Sequence, residues 1–113
     1  MTGCPFCARI GRREFDYSDP DSVAFQPLNP VVPGHFLVVP RDHAASALDD
    51  PEAAGKALSF AADLAALMGL DAVNFITSVG AAATQTVLHT HIHVVPRKVD
   101  DGLHLPWTGQ VTP

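Results

Sequence analysis

The sequence predicts an α+β fold made of one antiparallel sheet, one long helix and a short N-terminal helix. The order of the elements carries this prediction, since short strands precede the long helix and further strands follow it. The composition agrees, because 47% hydrophobic and 17% charged residues are typical of a globular chain with a core. At 113 residues, we expect a single domain over positions 1–113.

Short elements are predicted in the first 40 residues. They are a helical turn over 8–10 that closes near Gly11, and strands over 13–17, 22–26 and 35–39. The tripeptide Asp19-Pro20-Asp21 has strong turn chemistry and separates the first two strands. Three prolines stiffen the connection to the third strand, which Pro40 ends.

A long helix is predicted between Asp50 and Gly69. Asp49 and Asp50 are N-cap candidates, Pro51 suits the first helical turn, and Glu52 favours the helix N-terminus. The apolar residues that keep helical spacing are Ala54, Leu58, Ala61, Leu64, Ala65 and Met68.

Two strands are predicted after the helix, over 73–77 and over 86–95, with a small-residue loop over 80–84 between them. The second is the longest predicted strand, and Pro96 ends it. The tail that follows carries Trp107 and is predicted to pack without regular structure.

Three histidines occupy alternate positions of the longest predicted strand: His89, His91 and His93. Alternate side chains of a strand point to one face, so the three imidazoles should emerge together, with neighbouring rings roughly 6–7 Å apart. The intervening Thr90, Ile92 and Val94 then face the core. Three histidines in register on an apolar strand favour a chemical site over packing.

The central imidazole, His91, suits nucleophilic attack on phosphorus. Neutral imidazole is available near pH 7, because its unperturbed pKa is about 6.5, and attack would give a phosphohistidine-type intermediate. Flanking imidazoles, the 80–84 loop, Gln85 and Thr86 could then contact phosphate oxygens. A rival interpretation uses the three histidines as ligands of a catalytic zinc, with water in the fourth position.

A Cys-x-x-Cys pair at Cys4 and Cys7 indicates a second site. Such a pair provides two thiolates, and tetrahedral zinc needs two further ligands, for which His43 and His89 are plausible. That partition leaves His91 and His93 free for chemistry. The alternative is two reduced cysteines that pack as small hydrophobic residues.

Charge and targeting features limit the partners. A net charge of −5 argues against a broad nucleic-acid surface, although a local basic pocket of Arg41, Arg97 and Lys98 is conceivable. No run approaches about 20 apolar residues, so no membrane span is expected. The first residues lack the features of a secretory signal, which predicts a cytoplasmic protein.

The motifs together resemble the histidine-triad superfamily of nucleotide hydrolases and transferases, in its zinc-bearing Cys-x-x-Cys branch. The similarity spans nearly the whole chain. The segments that carry it are Cys4-Pro5-Phe6-Cys7, the stretch 29–43 and the stretch 85–97 with its His89-Thr90-His91-Ile92-His93 core.

The resemblance implies about five antiparallel strands, a homodimer and cleavage at the α-phosphate of a nucleotide phosphoramidate, adenylate or dinucleoside polyphosphate. It implies that His91 forms a nucleotidyl-histidine, that His93 contacts the phosphate and that His35 supports the histidines. Gln85 and Thr86 would lie at the phosphate and leaving-group side. A structural Zn²⁺ held by Cys4, Cys7, His43 and His89 is implied, with no organic cofactor.

Four positions depart from or extend the family pattern. Pro27 stands where members commonly bind ribose with an acidic residue or Asn, and Ser78 stands for a phosphate-side Asn or Gln. Thr84 replaces a small glycine, and Trp107 resembles C-terminal aromatic residues near the leaving-group side. The changes at Pro27 and Ser78 keep open a nucleotide-binding regulatory module with little turnover.

Overall fold

Five strands form one antiparallel sheet in the order β1-β2-β3-β5-β4 in the computed structural model, which describes residues 3–105. The strands are β1 (Tyr17–Ser18), β2 (Ser22–Phe25), β3 (Phe36–Pro40), β4 (Val73–Ile76) and β5 (Ile92–Pro96). The predicted antiparallel α+β fold is therefore confirmed. Trp107 lies outside the described residues.

Two α-helices flank the sheet, α1 (Pro5–Gly11) and α2 (Pro51–Leu67). The Asp50 side chain caps α2 by accepting a hydrogen bond from the Ala53 amide at 3.1 Å, as predicted from the sequence. Of the apolar residues with helical spacing, Ala61, Leu64 and Ala65 are buried, whereas Leu58 is 45% exposed and the neighbouring Ala57 is buried. Neither helix is long and apolar enough to cross a bilayer.

The two faces of the sheet are covered by different helices. Helix α2 packs on one face against alternate strand residues that include Val38, Ile92 and Val94. On the other face, Phe6 of α1 packs against Val23, Phe25, Leu37 and Val39. Because Leu37 pairs with His93 across β3 and β5, His93 belongs to the α1 side of the sheet.

Two predicted strands were too long. The strand predicted over 86–95 begins only at Ile92, because the chain before it bonds to a loop instead of the sheet: the Thr90 amide donates to the Ala44 carbonyl at 2.8 Å. The strand predicted over 13–17 is shortened by a turn after α1, in which Arg13 has a φ of +55°. The 80–84 loop contains a short 3₁₀ helix, Ala81–Ala83.

Candidate active site and metal centre

Four potential metal ligands from three parts of the chain meet beside the N-terminus of α1. Cys4 is the N-cap residue of α1, and its Sγ accepts a hydrogen bond from the Cys7 amide at 3.2 Å. His43 follows β3 and His89 precedes β5, so the pairing of these two strands brings the imidazoles together. The four ligand atoms lie within 4.8 Å of one another.

The separations of these atoms suit a tetrahedral zinc site. Zinc–nitrogen bonds near 2.05 Å and zinc–sulfur bonds near 2.3 Å imply N···N and S···N edges of about 3.3 and 3.6 Å. The two Nδ1 atoms of His43 and His89 are 3.2 Å apart. Sulfur–nitrogen distances are 3.3 Å from Cys7 to His43 and 3.4 Å from Cys4 to His89. The donor set and its spacing therefore fit the ion.

The protonation of His89 also fits a metal ligand. Its Nε2 lies 2.8 Å from the Pro40 carbonyl, and a carbonyl can only accept, so Nε2 carries the proton and Nδ1 presents a lone pair to Cys4, Cys7 and His43. Burial, above all other causes, lowers the pKa of His89 and keeps the ring neutral.

The proton of His91 can be placed in the same way, but here it is on Nδ1 and not on Nε2. Its Nδ1 lies 2.7 Å from the His89 carbonyl, so Nδ1–H donates and the neutral ring keeps its lone pair on Nε2. The Phe6 ring holds this pair of histidines from one side, with its centroid 5.2 Å from His91 and 5.9 Å from His89.

His35 and His93 form a relay of hydrogen bonds. The Val31 amide donates to His35 Nδ1 at 3.1 Å, so the proton of neutral His35 is on Nε2, which lies 2.9 Å from His93 Nδ1. His93 therefore accepts at Nδ1 and carries its own proton on Nε2. Burial lowers the pKa of His35, and burial with the nearby His91 and His35 lowers that of His93 to about 4. Both rings are neutral at pH 7.

A cleft of about 1000 Å³ opens on the α1 side of the sheet. Its size is that of a small-molecule site. Its polar lining includes His35, His91, His93, Ser78 and Thr86 together with three arginines, and its apolar lining includes Phe6, Phe25, Pro27, Leu28 and Leu37. The cleft therefore offers polar groups that can contact a phosphate and apolar groups that can cover a flat ring.

The structure divides the predicted site residues into three groups. Cys4, Cys7, His43 and His89 form the metal group, while His35, His91 and His93 line the cleft with Ser78 and Thr86. Gln85 is the exception, because it is buried and does not line the cleft. Its amide nitrogen donates to the Ala45 and Val87 carbonyls, and its Oε1 accepts from the Gly80 amide.

The three basic residues that the sequence left open as a local pocket do not meet in the cleft. Of Arg41, Arg97 and Lys98, only Arg97 lines the cleft. Two hydrogen bonds tie its guanidinium to Asp101, a third goes to Asn74 at 2.6 Å, and a fourth goes to the Leu103 carbonyl. The charge of Arg97 is thus neutralised, and its function is to hold the chain after β5 against the cleft.

Two cleft residues, Phe6 and Arg9, were missed as functional candidates. Phe6 lies between the two cysteines, which left its role as a wall against His89 and His91 hidden until the fold was known. Arg9 places its guanidinium carbon 4.1 Å from the centre of the Phe25 ring. The one sequence feature that links Phe6 and Arg9 is their separation of three residues, which places two side chains on the same face of a helix.

A model of the HIT domain matches residues 13–100 of the sequence. The chain belongs to the HIT family. The adenosine 5'-monophosphoramidase HNT1 of Saccharomyces cerevisiae is 37% identical over 93 residues, which are 80% of this chain and 59% of the yeast protein. The adenylylsulfatase HINT3 of Arabidopsis thaliana is 33% identical, with coverage of 88% and 55%.

A solved structure supports the same assignment. The fold is similar to that of a HIT family hydrolase from Clostridium thermocellum, with a TM-score of 0.77 and 30% sequence identity. The similarity covers 93% of this chain and 98% of the clostridial chain. The matched HIT domain contains all five strands and helix α2.

Proposed function

We propose that the protein hydrolyses the bond between the α-phosphorus of a nucleotide and its leaving group, with His91 as the nucleophile. The hydrogen bond from His91 Nδ1 to the His89 carbonyl carries this proposal, because it leaves the Nε2 lone pair available in the cleft. Relatives named as a monophosphoramidase and an adenylylsulfatase support phosphoramidates and adenylates as substrates. Dinucleoside polyphosphates share the same reactive phosphorus.

The reaction would proceed in two displacements at phosphorus. In the first, the bond from His91 Nε2 to phosphorus forms as the bond from phosphorus to the leaving group breaks, giving a nucleotidyl-histidine. In the second, water attacks phosphorus, the bond to Nε2 breaks and the nucleoside monophosphate leaves. The Nε2–H of His93 would donate to a phosphate oxygen, where negative charge increases in both transition states.

The metal group would have a structural part in this chemistry. Cys4, Cys7, His43 and His89 would hold a zinc ion, which when bound would join α1 to the segments that follow β3 and precede β5. His89 links the two sites, since its Nδ1 faces the metal group while its carbonyl oxygen accepts from His91. The zinc ligands therefore position the nucleophile.

The rival arrangement, with the three histidines around one catalytic ion, has no support from the contacts. His89 lies with the cysteines and His43, and within residues 3–105 that is the sole cluster of three or more metal-binding side chains. His93 has its Nδ1 bonded to His35 instead.

A nucleotide-binding module with little turnover is the second candidate function. The contacts of Gln85 favour it, because both amide donors of that side chain are bonded to backbone carbonyls and the side chain does not line the cleft. Release of product on the time scale of seconds would separate an enzyme from such a module.

A homodimer completes the proposal, as the resemblance implies. Strand β4 is at one edge of the sheet and exposes Ile76, and an unpaired edge is commonly covered by a second chain. A monomeric mass by light scattering at micromolar concentration would contradict it.

Replacement of the nucleophile tests the proposal. His91→Asn keeps an N–H for the His89 carbonyl but removes the nucleophilic nitrogen, so kcat for adenosine 5'-phosphoramidate should fall by several orders of magnitude. His104→Asn is the matched control, since His104 lines the cleft but is exposed, and its kcat should change little. An active His91→Asn variant would refute the mechanism.

A further inference from the structure

Arg9 lies in the cleft but takes no part in the histidine chemistry. Its guanidinium covers Phe25, which is only 1% exposed, and its Nε donates to the Glu14 carbonyl at 3.2 Å. The two terminal nitrogens of this guanidinium have no protein acceptor within the described part of the chain. One edge of a fixed, donor-only group is therefore available to a ligand.

The other arginines of the cleft lining are neutralised. Arg12 is bonded to the Glu14 carboxylate at 2.7 Å, and Arg97 is bonded to Asp101 at the same distance. Within residues 3–105, Arg9 is the cleft arginine that forms no ion pair, since the Glu14 carboxylate, whose pKa Arg9 helps to lower, is bonded to Arg12. In a chain of net charge −5, such a group is not part of a general basic surface.

The position of Arg9 suits a base more than a phosphate. Phe25 on β2 is next to Leu37 on β3, which pairs with His93 on β5. Two strand spacings therefore separate Phe25 from His93, a distance of about 10 Å across the sheet. Pro27 and Leu28 lie beside Phe25 in the cleft lining. If the phosphate binds at the histidines, the apolar side chains near Arg9 face the other end of the nucleotide, where the flat base is.

We propose that Arg9 reads the base of the bound nucleotide and selects guanine over adenine; this inference rests on the proposed function for the presence of a nucleotide in the cleft. A guanidinium has donors only. Guanine offers two adjacent acceptors, O6 and N7, which a guanidinium binds in a bidentate manner, whereas adenine places an amino donor beside N7. The two donors of Arg9 and the amino group would then oppose each other.

The test compares guanosine and adenosine 5'-phosphoramidate with the wild type, Arg9→Met and Arg12→Met. For the wild type, kcat/KM should be about tenfold higher with the guanosine substrate. Arg9→Met keeps an apolar side chain on Phe25 but removes the donors, so the ratio should fall to near one. Arg12 directly follows the last residue of the same helix and also lines the cleft, so Arg12→Met should keep the wild-type ratio.

Binding of GMP and AMP, measured by calorimetry, separates the two proposals. Preferential binding of GMP that Arg9→Met abolishes supports the role of Arg9 even if neither phosphoramidate is turned over, an outcome that refutes only the proposed hydrolysis. A wild-type preference at or below one overturns the inference without any variant. So does an Arg9→Met protein with an unchanged ratio, or an equal loss of both substrates, which would indicate a phosphate contact.

Discussion

The metal group and the cleft each contain a histidine of the triad, and the backbone carbonyl that each ring contacts gives the two histidines different chemistry. The Nε2–H of His89 donates a hydrogen bond to the Pro40 carbonyl, and the Nδ1 lone pair faces the cysteines. The Nδ1–H of His91 donates a hydrogen bond to the His89 carbonyl, which leaves the Nε2 lone pair available in the cleft. The position of one backbone carbonyl beside each ring thus decides which nitrogen keeps the lone pair, and with it whether the histidine suits metal binding or nucleophilic attack.

The first prediction separates the two regions by their effect on stability. Cys4→Ser should lose the bound metal and lower Tm by more than about 10 °C, because metal binding contributes directly to folding. His91→Asn should keep one metal ion per chain and a wild-type Tm. Metal content by mass spectrometry and thermal unfolding decide it, and metal lost from His91→Asn but kept by Cys4→Ser would reverse the assignment.

The second prediction tests the relay from His35 to His93. His35→Leu removes the donor to His93 Nδ1, so His93 loses its fixed protonation and kcat should fall by roughly 10–100-fold, with KM less affected. His35→Gln keeps an N–H donor and should recover part of that loss. Nitrogen-15 NMR of the His93 ring gives the structural readout, since only a positioning role changes which nitrogen is protonated.

The third prediction concerns pH. His93 is neutral in the fold down to about pH 4, while in the unfolded chain it takes up a proton below about pH 6.5. The unfolded state then binds more protons, so the free energy of unfolding should decrease as pH falls from 6.5 towards 4. Denaturant unfolding at several pH values should show a flatter dependence for His93→Asn. Parallel curves for the two proteins would disagree with this cause.

The smallest expected effect is at Thr84, beside the cleft. Thr84 has a φ of +69°, a conformation that is unfavourable for a β-branched residue and easy for glycine. Thr84→Gly should therefore raise the free energy of unfolding by up to about 1 kcal/mol. Denaturant unfolding measures the change, with Thr86→Gly as a neighbouring control. A loss of stability in Thr84→Gly would show that the Thr84 side chain compensates the strain.

The sequence predicted the metal group and the histidines because their chemistry depends on residue type and spacing. Cys-x-x-Cys with two histidines satisfies the coordination number of zinc, and His91 and His93 emerge on one side, with ring centres 5.3 Å apart. That alternation held although β5 begins only at Ile92. Local patterning cannot tell a paired strand from a segment that bonds to a loop, as Thr90 does.

Long-range contacts explain what the sequence did not predict. The protonation of each ring depends on carbonyls that are distant in the chain, such as Pro40 for His89. Gln85 is a polar residue beside a functional strand, yet its amide bonds to Ala45, 40 residues away. Arg97 looks like an unpaired cation in the sequence, but in the structure its guanidinium is bonded to Asp101. Each case depends on the path of a loop, which residue spacing does not determine.

The most direct measurement of the central claim is a search for the covalent intermediate. Wild-type protein would be mixed with a nucleotide phosphoramidate, quenched at alkaline pH within milliseconds, digested and analysed by mass spectrometry. We predict a nucleoside monophosphate attached to the peptide at His91, which disappears when the substrate is exhausted. Rapid product release at the same time points, with no nucleotide on His91, would contradict the account.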